Sequence, residues 1–188
     1  MRMLYTKKGD TGTSTLFGVC DRFLKSDDVF EALGTLDELN SLLGVCRSRV
    51  HSIPSVLGNV KVSNMIFVVQ ENLFTLQAKL AGAPKSLSPD AVAVLEDYIA
   101  AIEGRIKNPH GFIITGETEL SALFDYARAV SRRAERSVVR IIDKMPIDGD
   151  TTAYLNRISS LLYALARYAA RNTKEKKPRY TTRSEPAV

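Results

Sequence analysis

An all-α bundle of five helices is the fold this sequence predicts, and three observations predict it. Five segments carry apolar residues at alternating steps of three and four, the pattern of a helix with one buried face. The stretches between them hold residues that start and stop helices. At 188 residues, 45% hydrophobic and 25% charged, the chain is long enough for one domain with a real core.

The first stripe is Val29, Leu36, Leu39, Leu43, Cys46 and Val50; Ser26 precedes it, and Asp27, Asp28 and Glu31 put negative charge at its start. The second is Ile66, Val69, Leu73, Leu76 and Leu80, closed by Gly82-Ala83-Pro84. The third is Val92, Leu95, Ile99, Ile102 and Ile106, and Ser88-Pro89-Asp90 offers it a cap, a first-turn proline and an acid. The fourth is Leu120, Leu123, Ala127, Val130 and Ala134, with Val138 and Ile141 beyond. The fifth is Leu155, Ile158, Leu162, Leu165 and Ala169, entered through Asp148-Gly149-Asp150 with Asp150 as the expected N-cap. Near-antiparallel packing buries such stripes against one another.

Two segments lack the period. Residues 1–25 are rich in Gly, Thr, Ser and Lys, and residues 107–119 include Asn108-Pro109-His110-Gly111-Phe112. Irregular loops in a compact helical domain are often functional. The expected organisation is a loop over 1–25, a helical domain over 26–173, and a basic, disordered tail over 174–188.

Several classes of function are excluded. No apolar run approaches the roughly 20 residues that span a bilayer, and the N-terminus lacks the apolar stretch of a signal peptide. Cys20 and Cys46 have no metal-type spacing and are expected to be reduced, in the cytoplasm. His51 and His110 are the only histidines, and neither has a Glu three residues before it. The packing expected is therefore of the four-helix-bundle, ferritin-like type with one extra helix and no internal di-metal site. Neither histidine supports a Ser/His/Asp or Cys/His arrangement.

Candidate chemistry is concentrated in a few places. In a helix, Arg128, Arg132 and Glu135 share one face. A guanidinium fork suits phosphate or carboxylate oxygens, so this ridge either clasps an anion, pairs with acids of another element, or is a solvated charged face. In the run Thr6-Lys7-Lys8-Gly9-Asp10-Thr11-Gly12-Thr13-Ser14, glycines let backbone N–H groups converge on an anion, while hydroxyls and lysines add donors. It is not a Walker A motif, and its alternative is a flexible polar terminus. Asp37 lies beside the first stripe and is either an exposed acid or a partner for Arg128. Asn156 has poor propensity for mid-helix and serves through a hydrogen bond, to backbone or ligand. Phe112 either plugs the bundle end or floors a flat ligand.

From Tyr5 to about Arg171 the chain resembles the PduO-type ATP:cob(I)alamin adenosyltransferases. Four blocks carry the resemblance, in the family's order. They are Thr6 to Ser14, Gly34-Thr35-Leu36-Asp37-Glu38-Leu39-Asn40, Ala127-Arg128 through Arg132-Arg133-Ala134-Glu135-Arg136, and Tyr154-Leu155-Asn156-Arg157-Ile158-Ser159. The resemblance implies a homotrimeric five-helix bundle with active sites between neighbouring subunits. It implies attack of the cob(I)alamin cobalt on C5′ of ATP, with Mg²⁺ accompanying the triphosphate that leaves. It assigns ATP binding to Thr6, Lys7, Gly9, Asp10, Gly12, Ser14, Lys25, Arg132, Glu135 and Asn156. Arg128 is expected to pair with Asp37 across a subunit boundary, both serving catalysis with Arg132. Phe112 is expected against the lower face of the corrin. A reductase and an adenosylcobalamin-dependent enzyme are the implied partners. Three departures from the family pattern are expected on the corrinoid side: Thr115-Gly116-Glu117 where the family has Pro-Gly-Gly, Asp125 where it has His, and Lys79 where it has Asp.

Two other classes compete. A net charge of +5 permits a basic helical module that binds nucleic acid, whose affinity would fall steeply with salt. A structural bundle in which Asp37 and Arg128 fix subunit register is the other.

Overall fold

The computed structural model describes residues 5–106, 113–145 and 147–172. All five predicted helices are present: α1 (Asp28–Arg49), α2 (Val62–Leu80), α3 (Ala91–Glu103), α4 (Glu119–Val139) and α5 (Gly149–Arg171). The predicted stripes supply most of the core, with Val29, Val92, Ile99, Ile106 and Leu123 only partly buried against it and Ile106 beyond the end of α3. Leu36, Leu39, Leu43, Leu73, Leu76, Leu95, Ala127, Ala134, Ile158 and Leu165 are all buried. Two two-residue hairpins interrupt the helical pattern. β1 (Thr13–Ser14) pairs with β2 (Phe23–Leu24), and β3 (Val56–Leu57) with β4 (Val60–Lys61), both antiparallel.

Ion pairs at the helix ends fix directions. Asp28 at the start of α1 meets Arg140 and Lys144 beyond the end of α4, while Arg49 at the other end meets Glu119. α1 and α4 are therefore antiparallel. Asp148 and Asp125 play the same diagnostic part on α5. Lys79, near the end of α2, bonds Asp148 at the start of α5, and Asp125, early in α4, bonds Arg167 near its end. Arg157 of α5 reaches Glu96 of α3.

The caps differ in detail from expectation. Ser88-Pro89-Asp90 forms a turn rather than the first helical turn: the N–H of Ala91 bonds the Ser88 carbonyl, and the Ser88 hydroxyl bonds Asp90. A side-chain partner so near takes the hydroxyl away from the helix amides. The N-cap of α5 is Asp148, not Asp150; its carboxylate accepts the N–H of Thr151 at 2.8 Å. Thr118 and Ser121 cap α4 reciprocally, each side chain accepting the other's backbone N–H at 3.1 Å.

The bonds from Lys79 and Thr151 hold the Asp148 carboxyl down at about 2. A depressed acid stabilises the fold above its unfolded value, and that contribution is lost as pH falls through the folded value. Asp148→Ala should therefore cost about 1 kcal/mol near neutrality through the lost cap. Thermal melts of the two proteins should converge as pH falls from about 4 towards 2. A gap that stays constant through that range would contradict the assignment.

Candidate functional site

Three groups of side chains make up the site. The first is the N-terminal loop. Its curl follows from two glycines and two cations. Gly12 has φ +75°, which other residues rarely adopt. A Cβ on Gly9 would lie 2.8 Å from Lys25 Nζ, which donates to the Gly9 carbonyl at 2.9 Å. Arg22 donates through Nε to Thr13 Oγ1 at 2.8 Å, and through Nη2 to the carbonyls of Thr13 (3.0 Å) and Lys8. Lys7 also has a positive φ, +59°, and its ammonium lies 5.8 Å from the Tyr5 ring. Beyond the curl, the Phe17 N–H bonds the Ala81 carbonyl at 2.7 Å and so ties the loop to the end of α2. Thr6, Lys7, Asp10 and Gly12 are exposed, with Gly9 and Ser14 partly so. The backbone is thus shaped by Arg22 and Lys25, while Thr6, Lys7 and Lys8 stay exposed.

The second group lies where α4 passes α5. Arg132, Glu135, Arg136, Val139, Arg140 and Asn156 line an open cavity of about 390 Å³. Asn156 donates to Glu135 Oε1 at 3.1 Å, a side-chain bond between helices rather than a bond to backbone. Neighbouring cations on these helices are engaged: Arg133 with Glu38, Arg140 with Asp28, Arg157 with Glu96. Among the described residues, Arg132 and Arg136 have no ion pair. The predicted ridge is therefore not a continuous free cationic stripe, as a duplex backbone would require; its free charge is focused on one cavity.

The third group surrounds Arg128. Arg128 lines a second cavity, of about 570 Å³, whose wall also includes Ile99, Glu103, Ile106, Tyr163 and Ala164. Beneath that wall Asp125 and Arg167 are buried, 5% and 7% exposed, and paired through Asp125 Oδ2. Asp125 Oδ1 lies 4.0 Å from Arg128 Nε. Burial raises the Asp125 carboxyl above its usual range, and the two guanidiniums oppose that shift.

The structure thus brings Arg132, Glu135 and Asn156 together, and separately gathers Thr6, Lys7, Gly9, Asp10, Gly12, Ser14 and Lys25. Among the described residues, no hydrogen bond or ion pair joins the two groups within one chain. Asp37 is exposed and makes no ion pair among the described residues; within the chain the α1 carboxylate that reaches α4 is Glu38. Phe112 lies outside the described residues. One expectation is corrected. Lys79 does not share a side with Asp125: it bonds Asp148 at the start of α5, whereas Asp125 bonds Arg167, about 28 Å further along that helix at 1.5 Å per residue. The antiparallel course of α2 carries Lys79 to the end of the bundle where Phe17 is tethered.

Sequence reasoning missed Arg22 and Arg167. Arg22 follows the glycine run with no periodic context to single it out. Arg167 hides in Leu165-Ala166-Arg167-Tyr168-Ala169, where only a charge inside an apolar run marks it. Cys46 is buried, with its thiol pushed up to about 12, which makes it inert; Cys20 is exposed and free. Among the described residues there is no cluster of three His, Cys, Asp or Glu that could hold a metal ion, and no helix is long and apolar enough to cross a membrane.

Comparison with known proteins places this geometry. The family model for cobalamin adenosyltransferase matches residues 4–169. The chain is 33% identical to the corrinoid adenosyltransferase PduO of Salmonella typhimurium over 171 residues, 87% of this chain and 48% of that protein. It therefore spans about half the length of that relative. It covers 94% of a corrinoid adenosyltransferase from Citrobacter freundii, at 33% identity over 89% of this chain. Among solved structures, a variant PduO-type ATP:corrinoid adenosyltransferase from Lactobacillus reuteri, complexed with cobalamin and ATP, superposes with a TM-score of 0.82 at 30% identity, covering 93% of this chain and 97% of that one. With the bundle, the four blocks and the family model in agreement along nearly the whole sequence, the chain belongs to the cobalamin adenosyltransferase family.

Proposed function

We propose that the protein transfers the 5′-deoxyadenosyl group of ATP to the cobalt of cob(I)alamin, giving adenosylcobalamin and inorganic triphosphate. The observation that carries this reading is the pair of neighbouring cavities on α4. One is lined by Arg132, which has no ion pair among the described residues, with Glu135 and Asn156; the other, one helical turn away, has Arg128 and Glu103 on a wall that also includes Ile99, Ile106, Tyr163 and Ala164. The first suits a nucleotide and the second an edge of a large, partly apolar ring system.

The chemistry asks for little else. The cobalt brings its own electron pair, attacks C5′, and the C5′–O bond breaks with its electrons leaving on triphosphate. No side chain need act as nucleophile. The protein's work is to align the two substrates, to stabilise the leaving charge and to exclude water. The Arg132 fork meets phosphate oxygens. Glu135 and Asn156 offer acceptors for ribose hydroxyls or adenine N–H groups. The loop of Thr6, Lys7, Gly9, Gly12 and Ser14 closes on the triphosphate, with Lys25 leaving the Gly9 carbonyl to join it. Mg²⁺ travels with phosphates and needs at most one or two carboxylates from the protein; Asp10 is the one acid among residues 5–16. Phe112 serves the lower face of the corrin.

The loop and the Arg132 cavity belong, in this reading, to different subunits of a homotrimer, which accounts for their lack of contact within one chain. Arg128 supports the same assembly. Arg167 bonds Asp125 Oδ2, whereas Asp125 Oδ1 stands 4.0 Å from Arg128 Nε, so Arg128 makes no close ion pair among the described residues. Asp37 of a neighbouring subunit would supply one. Arg128→Ala and Asp37→Ala, combined in a double-mutant cycle, should show coupling of about 2–3 kcal/mol in trimer stability. Coupling near zero would leave both as ordinary surface charges. A cytoplasmic setting, with a reductase that supplies cob(I)alamin and an enzyme that uses adenosylcobalamin, completes the proposal.

Phosphorus NMR of a reaction with ATP, Mg²⁺ and chemically reduced cobalamin tests the reading. One triphosphate should appear per adenosylcobalamin formed. Release of orthophosphate or pyrophosphate as the primary product would refute attack at C5′.

A further inference from the structure

The Asp125–Arg167 pair is the most deeply buried ionic group among the described residues, and the nucleotide cavity does not use it. Buried ion pairs contribute little net stability, because desolvation offsets their attraction. Its neighbours suggest another role. Asp125 Oδ2 holds Arg167, and the Arg167 guanidinium lies 5.4 Å from the ring centre of Tyr163. Asp125 Oδ1 faces Arg128 Nε at 4.0 Å. Arg128 and Tyr163 both line the 570 Å³ cavity. The Nε groups of Arg128 and Arg167 are buried without a hydrogen-bond acceptor, so the charge of Asp125 is what restrains them.

We infer that Asp125 is a positioning residue that sets Arg128 directly, and Tyr163 through Arg167, on the wall of the larger cavity. It touches no substrate. Its carboxylate works from beneath, fixing a charged and an aromatic group whose separation shapes the corrinoid side. The inference rests on the assignment of that cavity to the corrinoid, and predicts that the nucleotide cavity, one turn along α4, is unaffected.

Removing only one partner leaves a buried charge unmatched and risks the fold. The test therefore uses Asp125→Leu/Arg167→Met, which replaces the pair by apolar groups. The double variant should melt within a few degrees of the wild type. Its KM for reduced cobalamin should rise tenfold or more while its KM for ATP stays within about twofold. A folded double variant with wild-type KM for both substrates would overturn the inference, because a merely structural pair would be fully replaced. A second readout is independent of activity. Nitrogen-15 NMR of arginine side chains should give a protected Arg128 Nε–H in the wild type that is lost to exchange in the folded double variant. An unchanged Arg128 resonance would also overturn it. If the wild type transfers no adenosyl group, the functional reading fails, and this spectrum still decides whether Asp125 positions Arg128.

Discussion

Deleting residues 1–15 should abolish ATP binding and leave the helical domain folded. The two halves of this expectation come from different observations. The hydrophobic core begins at Ala32, and none of its described members precedes α1. The Phe17 tether to Ala81 also survives the deletion. Circular dichroism and melting temperature should therefore change little. Binding should not survive, because the deletion removes the left-handed turns at Lys7 and Gly12 and the carbonyls that Arg22 and Lys25 organise. Isothermal titration with ATP and Mg²⁺ should lose its signal, a fall of at least 100-fold in affinity if several charge-assisted contacts to phosphate vanish together. A truncated protein that binds ATP as tightly as the full chain would remove the loop from the site.

Arg132→Lys should keep most ATP affinity and lose turnover. Arg132 has no ion pair among the described residues, so its guanidinium is available to a ligand, and its neighbours Glu135 and Asn156 already bond one another. Lysine keeps the charge but not the planar fork of donors. If the fork meets charge that develops on the leaving triphosphate, kcat should drop on the order of 100-fold, as when one preorganised donor is removed from a transition state. KM for ATP should move far less. Loss confined to KM would instead make Arg132 a ground-state binding residue.

The helices were legible because their evidence is repetitive: five or more apolar residues at a fixed period outweigh any one misread position. Single-residue features were less so. Asp148 and Asp150 are both good cap residues two positions apart, and only the backbone decides that Thr151 finds Asp148. Asp37 and Glu38 differ by about 100° around α1 and lie at equal angles, about 130°, on either side of the direction of Leu36 and Leu39; which one faces α4 depends on packing, and it is Glu38. The hairpins, two residues per strand, are too short for a periodic signal.

The site was legible in part. Arg132, Glu135 and Asn156 meet because α4 and α5 are antiparallel neighbours; spacing places Arg132 and Glu135 on one face, and only the family resemblance joins Asn156 to them. The buried Asp125–Arg167 pair was not foreseen: its members are 42 residues apart, and the arginine sits in a run that reads as core. Lys79 was misplaced for the related reason that a departure from a family pattern says nothing about which end of a bundle it occupies.

The most direct test of the central claim is the visible spectrum of chemically reduced cobalamin mixed anaerobically with the protein, ATP and Mg²⁺. The cob(I)alamin absorption should decay only when both protein and ATP are present, and be replaced by that of adenosylcobalamin, which light converts to aquacobalamin once air is admitted. A cob(I)alamin spectrum that persists unchanged with folded protein and excess ATP would contradict the account.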